Sequence, residues 1–135
     1  MSDDEFKETG SRDNAADVGN QLLRREEVTS ELDTVFELLS VARLRYVLYH
    51  LYGMDNDVTG VEDVVDAVCE CEAAGTETDE TPSRNEVRID VHHSKLPRLD
   101  AAGVVDYDVR QGEIRCYHSS SLEEWLEHAR QMELD

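Results

Sequence analysis

The sequence predicts a mainly α-helical domain carrying a small β-hairpin, an α+β fold, and three observations carry that expectation. Apolar residues recur at helical spacing in five separate segments. Two short β-like runs flank a turn at Gln111-Gly112 between the fourth and fifth of them. Hydrophobic residues make up 39% of a chain whose formal net charge is −19. That apolar fraction is enough for a small core, although so high a charge with fewer apolar residues would read as disorder.

Residues 1–29 are polar and lack periodicity until Leu22, which predicts a disordered acidic N-terminal tail with some helix near 20–28. From Ser30 the pattern changes. Leu32, Val35, Phe36 and Leu39 fall on one helical face, and Ser40 reads as a break and a new N-cap. Leu44, Val47, Leu48 and Leu51 repeat the spacing in a second helix that ends at Gly53. Thr59 and Glu62 have capping-box spacing, and they open a third helix with Val61, Val64, Val65 and Val68 on its buried face.

An acidic loop over 75–83 leads to a fourth helix at about 84–101, with core stripe Ile89, His92, Leu96 and Leu99, stopping at Gly103. Pro97 lies inside it and removes a backbone donor, which predicts a kink or an early end. Val104–Tyr107 and Glu113–Tyr117 form the hairpin. Ser121 and Glu124 make a second capping box before a last helix with Leu122, Trp125, Leu126 and Ala129 on one face. Three helices, a recognition helix, a two-stranded wing and a terminal helix are the order of a winged helix-turn-helix, placed at residues 30–118 with a C-terminal helix at 119–135.

Charge is unevenly distributed. Residues 59–80 hold 8 acids and no base, whereas 81–118 hold 6 of each inside this very acidic chain. Eleven of the 13 basic residues are Arg. An acidic, Lys-poor surface stays hydrated where salt screens charges within a few Å, and it repels itself where salt is dilute. The composition therefore points to a salt-rich cytoplasm. No apolar run reaches the ~20 residues of a membrane span, and the N-terminal residues lack the apolar core of a signal peptide.

Two stretches carry a family resemblance. Lys95-Leu96-Pro97-Arg98-Leu99-Asp100-Ala101-Ala102-Gly103-Val104-Val105 resembles the end of the recognition helix and start of the wing in ArsR-like winged-helix regulators. Phe36 to Leu48 resembles that family's early segment with its Leu-Ser and Arg. More narrowly, the chain is similar to a haloarchaeal winged-helix family of unknown function. The resemblance spans about residues 33–118 and implies duplex-DNA binding through the fourth helix and wing, as a dimer in many members.

On the face opposite the expected stripe, the fourth helix presents Glu86, Val87, Asp90, His93, Ser94 and Arg98, flanked by Arg84 and Arg88, with Arg110 at the wing tip. Arg reads guanine edges, and Ser and His bond base edges or phosphates. These six residues (Arg84, Arg88, His93, Ser94, Arg98 and Arg110) form the expected DNA-binding set; Glu86 and Asp90 would oppose phosphate. Leu122, Trp125, Leu126 and Ala129 form either a homodimer interface or an intramolecular cap, with Trp125 the anchor of the former.

The resemblance also raises metal sensing. Cys69 and Cys71 lie about 200° apart on a helix, and His92 and His93 about 100° apart, so neither pair chelates one ion. Cys116 and His118 share a strand face but lack further ligands, so no metal site or cofactor is expected. Catalytic motifs are absent, and no enzymatic activity is expected. The alternative to a DNA-binding transcription regulator is a winged-helix interaction module that contacts proteins through Val87, Val91 or the last helix. The charge pattern predicts that the thermal unfolding midpoint rises between dilute buffer and molar KCl. A midpoint that stays flat or falls in a salt series followed by circular dichroism would refute the salt-adapted reading.

Overall fold

The computed structural model describes residues 11–75 and 81–134, with side chains described from residue 25. The acidic loop's residues 76–80 and the first ten residues lie outside the described set. The chain divides into two compact units, Met1–Thr34 and Val35–Asp135. Among the described residues, no helix is long and apolar enough to cross a membrane.

Helix α1 spans Ser11–Leu39, so helix begins well before the Ser30 expected from periodicity. Ala15, Ala16, Leu22, Leu23 and the Arg and Glu residues that follow are strong helix formers. Residues 25–31 are exposed, so that stretch carries no buried stripe for periodicity to detect. In the second unit, Val35 and Leu38 enter the core while Phe36 stays 48% exposed. Ser40 does not cap the next helix. Its hydroxyl donates back to the Glu37 carbonyl at 2.6 Å, and Arg45 Nη1 donates to the Leu39 carbonyl at 2.5 Å, closing the end of α1.

Helix α2, Ala42–Gly53, buries Leu44, Val47, Leu48 and Leu51, the four residues its spacing selects. Strand β1, Val58–Gly60, follows, then α3, Val61–Gly75, with Val61, Val64, Val65 and Val68 inward as expected. No capping box forms at Thr59 and Glu62. Thr59 lies in β1, and Glu62 pairs with arginines of the next helix. The first N–H of α3, from Val61, donates instead to the Gly112 carbonyl at 2.9 Å.

The fourth helix is one continuous rod of three segments: α4 (Arg84–Asp90), a π-helical turn (Val91–Lys95) and α5 (Leu96–Ala101). The Leu96 N–H donates to the Val91 carbonyl, five residues back. Pro97 neither ends nor visibly breaks the helix. It occupies the first turn of α5, and the widened turn before it accommodates the missing donor.

The wide turn corrects the expected core stripe. At about 100° per residue, Leu96 and Leu99 would stand about 180° and 120° from Val87 in an unbroken α-helix. One extra residue in the turn returns them to about 80° and 20°, beside Val91 at about 40°. Val87, Val91, Leu96 and Leu99 are accordingly all buried to within 1%. Ile89 is 49% exposed and His92 only half-buried, so neither belongs to the core, and Val87 and Val91 are not available as a protein-contact surface.

Gly103, at φ 78°, ends the rod. The Val104 N–H donates to the Leu99 carbonyl and the Gly103 N–H to the Asp100 carbonyl, a left-handed glycine stop. Strands β2 (Val105–Asp108) and β3 (Glu113–Cys116) form the expected hairpin, and β1 pairs with the outer side of β3. The sheet is thus antiparallel and three-stranded, in the order β1-β3-β2. Tyr107 and Ile114 point inward while Asp106 and Arg115 point outward.

Helix α6, Ser120–Leu134, is capped by Ser119 rather than Ser121, through the Leu122 N–H to Ser119 Oγ at 3.3 Å. It packs on α2 with Leu122 and Leu126 buried. The register of the interrupted helix predicts unequal costs of truncation. Leu96→Ala should destabilise by about 2–5 kcal/mol in urea titrations at molar KCl, whereas exposed Ile89→Ala should stay within about 0.5 kcal/mol of the parent. Equal losses would contradict the π-turn.

Candidate nucleic-acid interface

Helix α4 starts at a cap of its own. Ser83 Oγ accepts from the Glu86 N–H and donates to the Glu86 carboxylate, both at 3.2 Å. This engages Glu86 locally. Asp90, expected to face outward, is partly buried instead. Its carboxylate accepts from Arg43 Nη1 at 2.9 Å and Lys95 Nζ at 3.1 Å, and Arg43 also forks onto Glu72 at 2.5 and 2.8 Å. Lys95 reaches Asp90 across the five-residue span of the π-turn, so the cluster ties that turn to α2 and α3.

Partial burial alone would raise the Asp90 pKa, but the hydrogen bonds from Arg43 and Lys95 outweigh it and hold the carboxyl below its ordinary value. The outward side of this helix therefore carries less uncompensated acid than the sequence suggests.

The six expected contact residues separate into two groups. Arg84 donates from Nε to Asp66 and from Nη2 to Glu62, both at 2.9 Å, and Arg88 donates to the other oxygen of Glu62 at 2.9 Å. The Arg88 and Arg84 guanidinium groups hold the Glu62 carboxyl below the usual range. These two arginines are exposed but already neutralised. His93, Ser94 and Arg98 are exposed on the later half of the rod, and Arg110 is exposed in the hairpin turn. Among the described residues, no carboxylate lies within ion-pair distance of Arg98, Arg110 or Arg115. Asp108 Oδ1 accepts from the Arg110 and Gln111 N–H groups at 3.1 and 3.2 Å, which fixes the turn beneath the Arg110 side chain.

A cleft of about 430 Å³ joins the helix to the hairpin; Arg88, His92, Tyr107 and Arg110 line it opposite Glu62 and Asp63 at the head of α3. His92 hydrogen-bonds the Tyr107 hydroxyl through Nδ1, and His93 packs edge-on against His92 at 4.4 Å. Arg88 and Arg110 thus share one depression. Arg98 lies ten residues beyond Arg88, about 15 Å along the axis. Another groove, about 550 Å³ between α2 and α6, presents Glu123, Glu124 and Glu127 and would repel a nucleic acid.

Periodicity missed three exposed groups: Ile89, Val109 (59% exposed) at the hairpin turn, and outward-facing Arg115 on β3. Ile89 was concealed by the π-turn. Arg115 was legible from strand alternation, because Ile114 and Cys116 face the other way.

Of the four residues expected at a dimer interface, Leu122 and Leu126 are buried within their own domain and Ala129 is half-buried. Trp125 remains 42% exposed, edge-on to Phe36 at 5.2 Å. Cys116 is buried, and burial pushes its thiol up to about 11; burial also raises Cys69 and Cys71. Thiols so shifted stay protonated at neutral pH. His118 packs at a tilt against the Tyr52 ring and sits 3.8 Å from Asp57. Among the described residues, no three His, Cys, Asp or Glu side chains are grouped as metal ligands.

The class these features define is a mainly helical α+β domain, with a small antiparallel sheet packed beside one interrupted, surface-facing helix. Residues 36–115 match a family described as a domain of unknown function, DUF7344, and the chain belongs to that family. No curated protein and no solved structure matches it.

The ion cluster predicts an acid-dependent stability. A carboxyl held low in the folded state stabilises above its ordinary pKa, and that contribution is lost as pH falls through the folded value. Asp90→Asn should therefore cost about 1–3 kcal/mol at neutral pH. It should also flatten the decline in unfolding free energy below about pH 4. A parallel decline in parent and variant would exclude Asp90 from that role.

Proposed function

We propose that this chain is a winged helix-turn-helix transcription regulator, not an enzyme. It binds duplex DNA by placing the α4–α5 rod in the major groove and the β2–β3 hairpin on the adjacent backbone or minor groove. The observation that carries this reading is topological. From Ala42 to Cys116 the order is helix, strand, helix, helix, strand, strand, with sheet order β1-β3-β2. Winged-helix domains have this arrangement, and in them the third helix of the set is the one that reads DNA. Here that helix is the rod carrying Ser94 and Arg98.

The charges support the reading in a specific way. Three of the six bases in 81–118 (Arg84, Arg88 and Lys95) answer acids of the same domain, which leaves Arg98, Arg110 and Arg115 on the rod and hairpin without an ion pair among the described residues. Counterion release contributes little at molar salt. A few arginines able to bond base edges suit such conditions better than a broad phosphate-binding patch. A protein-interaction module remains the second reading, favoured by the neutralisation of Arg84 and Arg88 by Glu62 and Asp66.

Homodimerisation belongs to the same proposal. Trp125 and Phe36, with Met132 at 75% exposed, supply the outward apolar surface on α1 and α6. Two rods related by a two-fold axis would read half-sites about 10 bp apart.

The test is selection from a random duplex pool in molar KCl, run beside a Ser94→Ala, Arg98→Ala double variant. The regulator reading expects one enriched motif, palindromic if the protein is dimeric, that the variant fails to enrich. A folded protein that enriches nothing transfers the assignment to the interaction module.

A further inference from the structure

Resting on the DNA-binding reading, we propose that Ile89 is a specificity-determining residue that contacts the 5-methyl group of a thymine, beside bases read by Ser94 and Arg98. Three observations converge on it. Ile89 is 49% exposed, and it is the one large hydrophobic side chain on the rod that is exposed, amid Asn85, Glu86 and His93. The rod's core face is already filled by Val87, Val91, Leu96 and Leu99, so Ile89 has no packing role there.

The third observation is alignment. Taking Val87 as zero, Ile89 stands at about 200° around the axis. In an unbroken helix Ser94 would stand at about 340° and Arg98 at about 20°, both on the core side. The residue absorbed by the π-turn moves Arg98 by the full displacement and Ser94, inside the turn, by part of it, so both stand at about 280°, off the core side and about 80° from Ile89. The Asp90–Lys95 bridge spans that turn, and Arg43 anchors it. An apolar group, a hydroxyl and a guanidinium thus share the outward side of the rod within about 13 Å along its axis, which corresponds to about four base steps.

The major groove offers an apolar side chain one specific partner. Its floor presents hydrogen-bonding groups from every base and a methyl group from thymine alone. Ser94 bonds either type of edge, and Arg98 matches the O6 and N7 acceptors of guanine. The methyl contact is also insensitive to charge screening, so it keeps its discrimination in salt that weakens phosphate contacts. The inferred target is therefore duplex DNA containing a thymine within about four base steps of a guanine.

The test uses the full chain and the duplex enriched by selection, followed by fluorescence anisotropy in molar KCl. Each thymine of the motif is replaced in turn by deoxyuridine, which removes only the methyl group. One replacement should weaken binding by the parent about fourfold, the value of one buried methyl-sized group. Ile89→Ala should lose a similar factor on the thymine duplex and show no further loss on the deoxyuridine duplex. Its unchanged thermal midpoint would establish that the fold is intact. Binding that ignores every thymine methyl, or an Ile89→Ala variant that retains the full deoxyuridine penalty, overturns the role of Ile89 while leaving DNA binding in place. Failure of the folded parent to bind any duplex removes the DNA-binding reading itself, and this inference with it.

Discussion

One backbone hydrogen bond, from the Leu96 N–H to the Val91 carbonyl, sets the arrangement of the principal surface. Because it closes over five residues rather than four, the rod absorbs an extra residue without interrupting its helical run. Val87 and Val91 then share a core face with Leu96 and Leu99, although straight helical spacing would place the two pairs on different sides. The same shift carries Ser94 and Arg98 outward. Pro97 favours this geometry, since it has no N–H to complete a regular turn and its ring would crowd the carbonyl four residues back. Lys95 and Asp90 brace it from the side-chain level, and Arg43 transmits the bracing to α2 and α3.

The electrostatic organisation follows from where the scarce bases are placed. Arg43, half-buried, gathers carboxylates from α3 and α4 in bonds that salt screens weakly. Arg45 and the Tyr49 hydroxyl hold Glu133 in the same manner, fixing the end of α6 to α2. Arg84 and Arg88, by contrast, meet Glu62 and Asp66 in exposed bonds that salt screens readily. The bases therefore divide: Arg43, Arg45, Arg84 and Arg88 join helices, while Arg98, Arg110 and Arg115 are exposed with no ion pair among the described residues.

Where helices are regular, the sequence was sufficient. The stripes of α2 and α3 are selected residue by residue, and the stop at Gly103 and the hairpin fall within a residue of their expected places. Three features were hidden for separate reasons. Strand β1 is three residues long and pairs with residues more than fifty positions away, so no local pattern betrays it. The middle turns of α1 expose their side chains from residue 25 to 31, which erases the amphipathic signal there. The π-turn displaces the period by one residue, so a stripe traced back from Leu99 and Leu96 reaches His92 and Ile89 instead of Val91 and Val87. Site residues were legible by type, but their availability was not. Whether Arg84 is free or engaged depends on Glu62 and Asp66, on a helix that only folding brings beside it.

The carbonyl of Gly112, at the end of the hairpin turn, accepts the first N–H of α3. Gly112 holds a φ of 66°, a conformation that other residues rarely adopt, and this aims its backbone at that donor. The hairpin is therefore not a free arm but a closed loop, fastened at its tip to a second element. Its length is fixed in a way that its side chains are not. Val109 and Arg110 can be exchanged during divergence without disturbing the backbone, whereas one inserted residue would detach the turn from α3 and leave a helix terminus without its acceptor. Variation at this surface is thereby channelled into residue identity, and variation in loop size is suppressed.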